Sequence, residues 1–143
     1  MDHSLQVRRN LWVMVLAGLG LIWVLQQQGQ RHDYQVPEVG IAEAKALMDA
    51  GALVIDVRGA EQFAYRHIPG AILVPLTVLR NTVPVELASA KDKPVVIYCN
   101  EGLLHGPEGT HLLRQAGFTN VVNLKPGIEG WAAAGMAVDK GKG

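Results

Sequence analysis

The sequence has 143 residues, the length of one ordinary domain. It is 49% apolar and its formal net charge is zero, so it can bury a core and lacks the charge excess that is typical of disordered chains. From Pro37 onward, ten Lys and Arg residues stand against eleven Asp and Glu residues, which excludes the basic surface of a nucleic-acid-binding protein.

The first predicted element is an apolar helix near the N-terminus. Residues 11–25 are apolar throughout, and uncharged residues extend this run to 10–30. As a helix, the apolar part is roughly 22 Å long and the uncharged stretch about 31 Å, against a membrane hydrocarbon core of roughly 30 Å. The pattern predicts a transmembrane anchor over residues 1–30, with residues 11–25 in the membrane, followed by a linker over residues 31–36.

Two alternatives to an anchor are a cleaved signal peptide and a buried core helix. Arg8 and Arg9 would suit the charged start of a signal peptide, but no small-x-small cleavage pair precedes the QQQGQ sequence. A core helix is disfavoured because the segment is apolar on all faces and precedes a complete domain. The preferred prediction is a single-pass membrane protein. The positive charges before the span favour an exported, periplasmic domain, although the excess is slight.

The rest of the chain, residues 37–140, is predicted to be one domain in which helices and strands alternate. Helices are predicted over residues 41–50, 60–67, 76–90 with a break at Pro84, 107–116, and within 126–135. Gly51 and Gly117 are expected to end the first and fourth of these helices. Strands are predicted over residues 52–58, 93–99 and 120–124, and residues 68–76 are predicted to form a turn and a further strand. Because the strands are continuously apolar, they indicate a parallel sheet that is covered by helices on both faces.

The only cysteine, Cys99, ends the most apolar of these strands. It cannot form an internal disulfide, and it leaves the redox compartment open. Ligands of such sheets bind beyond the carboxyl ends of the strands. Backbone N–H groups of residues 100–106 and the start of the next helix could stabilise a thiolate there, and Gly102 and Gly106 would let the loop curl around it. The alternative is a buried structural cysteine.

Several segments together resemble the rhodanese-like domain family. They are LVIDVR, HIPGAI, VVIYC followed by a loop and a helix, GF, and GIEGW, which occur in that order between Pro37 and Val138. The resemblance implies a three-layer α/β fold with a five-stranded parallel sheet. It also implies that Cys99 carries a persulfide, taking sulfane sulfur from a donor and passing it to a thiol or protein acceptor.

The resemblance also implies the site residues. Cys99 would be the nucleophile, and Asp56 and Arg58 belong to the first family signature, which mostly holds the architecture near the site. His67, in the second signature, and Trp131 are expected to pack the structure. The residues expected to bind substrate are Asn100, Glu101, Gly102, Leu103, Leu104, His105, Gly106 and Arg58. No metal and no cofactor are expected.

The loop after Cys99 departs from the family pattern. Active rhodaneses usually have a six-residue loop that ends in Arg or Lys, whereas the helix register here gives seven residues that end at His105. Imidazole is only partly charged at neutral pH, and Glu101 repels a dianion that approaches the thiolate. We therefore expect low activity with thiosulfate and easier transfer from a protein persulfide or a neutral polysulfide.

The sequence leads to one preferred function and two alternatives. The preferred hypothesis is a membrane-anchored sulfurtransferase or persulfide carrier that uses a single active-site cysteine. The first alternative is a non-catalytic rhodanese-like module that binds a partner at the membrane. The second is a phosphatase or arsenate reductase, against which the missing loop Arg argues, because guanidinium fits phosphate bidentately and imidazole does not.

Overall fold

The computed structural model describes residues 3–27 and 33–141 of the chain. Contacts divide the chain into two compact units at about residue 33. The first unit contains the N-terminal helix, and the second contains the sheet and all remaining helices. The two units are described separately below.

The N-terminal unit is built on one helix, α1 (His3–Gln27). Over residues 3–27 and 33–141, no helix combines the length and the apolar character that crossing a membrane requires. The predicted transmembrane helix is therefore not supported. The continuous apolar run, residues 11–25, corresponds to only about 22 Å of helix. Residues 28–32, which include the end of the predicted anchor and the start of the predicted linker, lie outside the described residues.

The second unit contains a five-stranded, all-parallel sheet, as predicted. The strand order is β1-β5-β4-β2-β3, so β4 lies at the centre and its four residues are all buried. A central strand that is covered on both faces needs an apolar sequence without alternation, which the run before Cys99 provides. The strands are β1 (Glu38–Val39), β2 (Leu53–Asp56), β3 (Ile72–Leu73), β4 (Val95–Tyr98) and β5 (Val121–Leu124).

Helices cover both faces of this sheet and complete three layers. On one face, α4, a 3-10 helix and α5 bury Ile55, Ile97 and Val121 of the strands. On the other face, α2, α3 and α6 pack against Val54, Val96 and Leu124. The helices are α2 (Ile41–Asp49), α3 (Ala60–Tyr65), α4 (Leu76–Leu79), the 3-10 helix (Val85–Ala90), α5 (His105–Gln115) and α6 (Gly127–Ala133).

Two sequence expectations need correction. The segment before Gly40 was expected to hold no element, but Glu38 and Val39 form edge strand β1, which pairs with β5. Two residues are too few to show any periodicity. In addition, α5 begins at His105, two residues before the predicted start at Pro107. Proline is tolerated throughout the first helical turn, because the N–H groups of that turn have no helical partner.

Candidate active site

Cys99 lies directly after β4, at the carboxyl end of the sheet, where the sequence predicted it. The residue is only 6% exposed and belongs to the apolar cluster on the α5 face. Its Sγ accepts a hydrogen bond from the backbone N–H of Gly102, with an N–S distance of 3.2 Å. Of the several loop amides that were expected to face the sulfur, this is the one that the structure records within hydrogen-bonding distance. A fixed N–H dipole at this position stabilises negative charge on sulfur.

Gly102 can make this contact because it is a glycine. Its φ is +71°, in the left-handed region that side chains disfavour. A Cβ at this position would also stand 2.4 Å from the carbonyl oxygen of Leu124 in β5. The loop therefore packs its backbone directly onto the end of the neighbouring strand, and both the conformation and the close approach require the glycine.

The first turn of α6 fixes the other side of the loop. The N–H of Ile128 donates to the carbonyl of Cys99 at 3.0 Å, and the N–H of Glu129 donates to the carbonyl of Asn100 at 2.9 Å. Gly127, at φ +67°, allows this approach, since a Cβ there would stand 2.4 Å from the Asn100 oxygen. Because α6 hydrogen-bonds both carbonyls, the backbone around the sulfur has a defined orientation.

The predicted loop residues surround the cysteine. A pocket of about 200 Å³ opens at the sulfur and is lined by Cys99, Asn100, Glu101, Leu103, Leu104 and His105. Leu103 and Leu104 are 56% and 58% exposed, so they give the mouth of the pocket an apolar rim. His105 is the first residue of α5, and Gly106 in the same turn borders the sulfur. The pocket therefore contains one carboxylate, one imidazole and no guanidinium.

Arg58, which was expected to bind substrate, is buried in an ion pair. Its Nη2 and Nε lie 2.7 and 3.0 Å from the two carboxylate oxygens of Asp56, and its Nη2 also donates to the carbonyl of Arg66 at 2.7 Å. Its Nη1 donates to Oδ1 of Asn100 at 3.3 Å. Burial acts to lower the pKa of Arg58, but the hydrogen bonds and charge of Asp56 outweigh it and raise that pKa. Arg58 thus holds Asn100 in the loop and is itself held by Asp56.

A second, larger cleft adjoins the sulfur pocket. Its volume is about 400 Å³, and it shares Asn100 and Glu101 with that pocket. The remaining lining residues are Arg58, Glu61, Gln62, Tyr65, Arg66 and Glu129. Arg66 pairs with Glu129 at 2.6 Å, and Arg58 pairs with Asp56, so the carboxylates of Glu61 and Glu101 exceed the positive charge that remains for a ligand. The cleft beside Cys99 therefore favours neutral or cationic molecules over anions.

Two residues at the site were missed in the sequence. Asn123 of β5 is fully buried beneath the loop, and its Nδ2 donates to the carbonyl of Gly102 at 2.9 Å. The available signal was a lone polar residue within an apolar strand. Arg80 lines a further pocket with His105, and it pairs with Glu108 of α5 at 2.6 Å. No sequence pattern marks Arg80, because only the packing of α4 on α5 brings it there.

The packing roles that were expected for His67 and Trp131 agree with the structure. His67 is buried, its Nδ1 lies 2.9 Å from the carbonyl oxygen of Phe63, and its ring stacks on that of Phe63 with centroids 3.9 Å apart. Trp131 is 3% exposed, and its Nε1 donates to the carbonyl of Ala137 at 2.9 Å. Both side chains are structural. Within residues 3–27 and 33–141, no group of three or more His, Cys, Asp or Glu residues is arranged to hold a metal ion.

Comparison with known proteins finds relatives that are similar in sequence to this chain. The chain is 38% identical over 92 residues to the uncharacterized protein YibN of Escherichia coli K12, an alignment that covers 64% of this chain and 63% of YibN. It is 28% identical over 102 residues to thiosulfate sulfurtransferase GlpE of Haemophilus influenzae (strain PittEE), covering 71% of this chain and 93% of GlpE. The chain thus spans slightly less than two thirds of YibN.

A solved structure and a family model agree with these relatives. The structure of thiosulfate sulfurtransferase from Pseudomonas aeruginosa superposes with a TM-score of 0.65 at 33% identity, covering 75% of this chain and 21% of that one. The family model described as the rhodanese-like domain matches residues 41–134, which is more than half of the chain. These matches confirm the predicted rhodanese-like fold with its five-stranded parallel sheet. The chain therefore belongs to the rhodanese-like domain family, and sulfurtransferases are among its homologues.

Proposed function

We propose that the protein is a sulfurtransferase or persulfide carrier in which Cys99 is the nucleophile. The observation that carries this proposal is the N–H of Gly102, which points at Cys99 Sγ from 3.2 Å at the base of a pocket. A structural cysteine needs neither an amide donor on its sulfur nor an opening at that sulfur. The first turn of α5 also borders the sulfur, and a helix N-terminus favours negative charge.

The proposed reaction consists of two displacements at sulfur. The Cys99 thiolate attacks the outer, sulfane sulfur of a donor, the donor's own S–S bond breaks, and the leaving thiolate takes the bonding electron pair. Cys99 then carries a persulfide, whose negative charge the Gly102 N–H stabilises. An acceptor thiolate attacks the outer sulfur and becomes the persulfide, and the electron pair returns to Cys99 as a thiolate. No external oxidant or reductant is needed.

The charges at the pocket select the donor in this proposal. Glu101 lines the pocket and repels thiosulfate, which is a dianion. The nearby Arg58 is already paired with Asp56, so its positive charge is not free to bind thiosulfate. Exposed Leu103 and Leu104 add an apolar rim that suits another protein or a neutral polysulfide. We therefore propose that sulfur arrives from a protein persulfide or a neutral polysulfide, and that thiosulfate is a poor donor.

The test is the intact mass of the full chain after incubation with a neutral polysulfide. We expect a gain of one sulfur atom that disappears after treatment with a thiol and that is absent in Cys99→Ser. Because Cys99 is the only cysteine, the assignment needs no peptide mapping. If wild type gains no mass while its fold is intact, the carrier proposal is wrong and a non-catalytic binding module is favoured. Turnover of an aryl phosphate without sulfur loading would favour the phosphatase alternative.

We also propose that α1 holds the protein at a membrane. Among its described apolar side chains, Leu11, Trp12 and Trp23 are 63%, 67% and 62% exposed. A large exposed apolar surface on a helix is typical of a site that binds another protein or a membrane. The full chain should co-sediment with lipid vesicles, and a full chain that stays in the supernatant would contradict the proposal. The export of the sheet-containing unit stays a prediction, which protease protection in sealed vesicles would test.

A further inference from the structure

The fully buried side chain of Asn123 is a second polar feature at the sulfur site. Asn123 is the third residue of β5 and pairs in register with Ile97, two residues before Cys99. Side chains alternate between the faces of a sheet, so Ile97 and Cys99 point to the same face. Asn123 is paired with Ile97, and its side chain therefore points to that face too. That face is the one covered by α5, and the amide of Asn123 therefore lies under the loop that follows Cys99.

Only one half of this amide has a partner. Nδ2 donates to the carbonyl oxygen of Gly102 at 2.9 Å, whereas Oδ1 is buried without a hydrogen bond. A buried carbonyl oxygen without a donor is destabilising, and such groups in folded proteins call for an explanation. An apolar residue would avoid the unpaired oxygen, and it would suit this otherwise apolar strand. The asparagine therefore contributes something that the packing of β5 does not require.

The unpaired oxygen faces the inside of the loop. A Cβ placed on Gly106 would stand 2.2 Å from Oδ1 of Asn123 and 3.4 Å from Sγ of Cys99. The oxygen and the sulfur thus border the same point, at the first turn of α5. Asn123 consequently spans the loop from within, with its NH2 group on Gly102 and its oxygen against Gly106.

We propose that Asn123 is the positioning residue that keeps the Gly102 N–H directed at the sulfur. Gly102 has the left-handed φ of +71°, and without support a glycine exchanges readily between conformations. Its N–H contacts Sγ, and its carbonyl is fixed by Asn123 on the other side of the same Cα. The asparagine thereby holds the one recorded amide donor in place. This inference rests on the proposed role of Cys99 as a nucleophile and adds a residue to it.

The test compares Asn123→Val with a matched control in the full chain. Valine suits a buried strand and removes both amide groups. The control is Thr110→Val, which removes another buried bond, from Thr110 Oγ1 to the Gly106 carbonyl at 2.9 Å, without touching Gly102. The rate of Cys99 alkylation by iodoacetamide is measured across pH, because a structural role alone would not move the midpoint of that profile.

We expect Asn123→Val to move the midpoint of alkylation by about one to two pH units toward higher pH, the shift equivalent to losing one hydrogen bond to a charged group. Thr110→Val should leave the midpoint in place. A midpoint for Asn123→Val within about 0.3 units of wild type, far below that expected shift, would overturn the proposal.

A second variant covers the case in which Asn123→Val does not fold. Asn123→Leu keeps a similar side-chain size but removes both amide groups, and we expect an upward shift of similar size. If neither variant folds, Asn123 serves the fold and the proposal is overturned. Alkylation requires no sulfur transfer, so failure of the carrier function alone would leave this result readable.

Discussion

The loops that follow β2 and β4 both start at the carboxyl end of the sheet, but they differ in how charge is arranged. After β2, Asp56 and Arg58 form a buried ion pair in which both carboxylate oxygens have a donor. After β4, the sulfur of Cys99 has one neutral N–H donor and no fixed cation. In the loop after β2 the two opposite charges neutralise each other, whereas the loop after β4 can still stabilise a negative charge on sulfur. The comparison indicates that charge is used here to hold the loop and amide dipoles to bind the reacting sulfur.

Removing the carboxylate of the buried ion pair should produce the largest effect. Asp56→Ala leaves the buried guanidinium of Arg58 without its partner, which should reduce the free energy of unfolding by about 3–5 kcal/mol. The matched control is Asp49→Ala, which breaks the exposed ion pair between Lys45 and Asp49 and should reduce it by at most about 1 kcal/mol. Urea denaturation of both variants measures the difference. Equal losses would mean that burial of the first pair has no energetic consequence.

Displacing the amide donor should affect function more than stability. Gly102→Ala places a Cβ against Leu124 and should slow sulfur loading about a hundredfold, as expected when a reacting group is misplaced by about 1 Å. Gly135→Ala is the control, because Gly135 has a similar φ of +76° but open space at its Cβ position. Both variants carry about 1–2 kcal/mol of left-handed strain. If Gly135→Ala slowed loading equally, the clash with β5 would not be the cause.

Adding a cation to the loop after β4 should raise activity with thiosulfate. His105→Arg should raise thiosulfate turnover about ten- to hundredfold, since a hydrogen bond to a charged group contributes about 1.5–3 kcal/mol. Cyanide-coupled formation of thiocyanate measures it. His111→Arg, further along α5 and outside the sulfur pocket, is the control for added charge. No change in His105→Arg would show that the missing cation does not limit thiosulfate use.

Removing the loop carboxylate should have the smallest effect. Glu101 is exposed at the mouth of the pocket, so Glu101→Gln should speed loading from thiosulfate only about two- to fivefold, the equivalent of about 0.4–1 kcal/mol. Loading from a neutral polysulfide should be unaffected. Glu86→Gln, at another exposed position, controls for net charge. The gain should shrink in high salt, and a gain that is independent of salt would argue against electrostatic repulsion.

Local sequence rules located most elements and the nucleophile. Gly51 and Gly117 were expected to end α2 and α5, and both adopt a positive φ just after those helices. The apolar run before Cys99 placed the cysteine at the carboxyl end of a buried strand, where the structure has it. These predictions succeeded because each depends on residues that are close together in the chain.

The features that could not be predicted from the sequence depend on contacts between distant segments of the chain. Edge strand β1 exists because β5 offers it a partner, and its two residues carry no pattern of their own. The contact of Asn123 with Gly102 joins residues 21 positions apart and requires the register of β5 on β4. Arg58 was placed among the substrate-binding residues on the family resemblance, and only the structure shows its guanidinium held by Asp56.

Both outer strands of the sheet are very short, and this protects the protein from unwanted self-association. β1 and β3 have two residues each, whereas the three inner strands have four. An exposed edge strand offers unpaired N–H and C=O groups to any other extended chain, and a long one is a template for aggregation. With only two residues at either side, there is little backbone on which a second sheet could grow. The short outer strands therefore lower the risk of edge-to-edge pairing between copies of the protein.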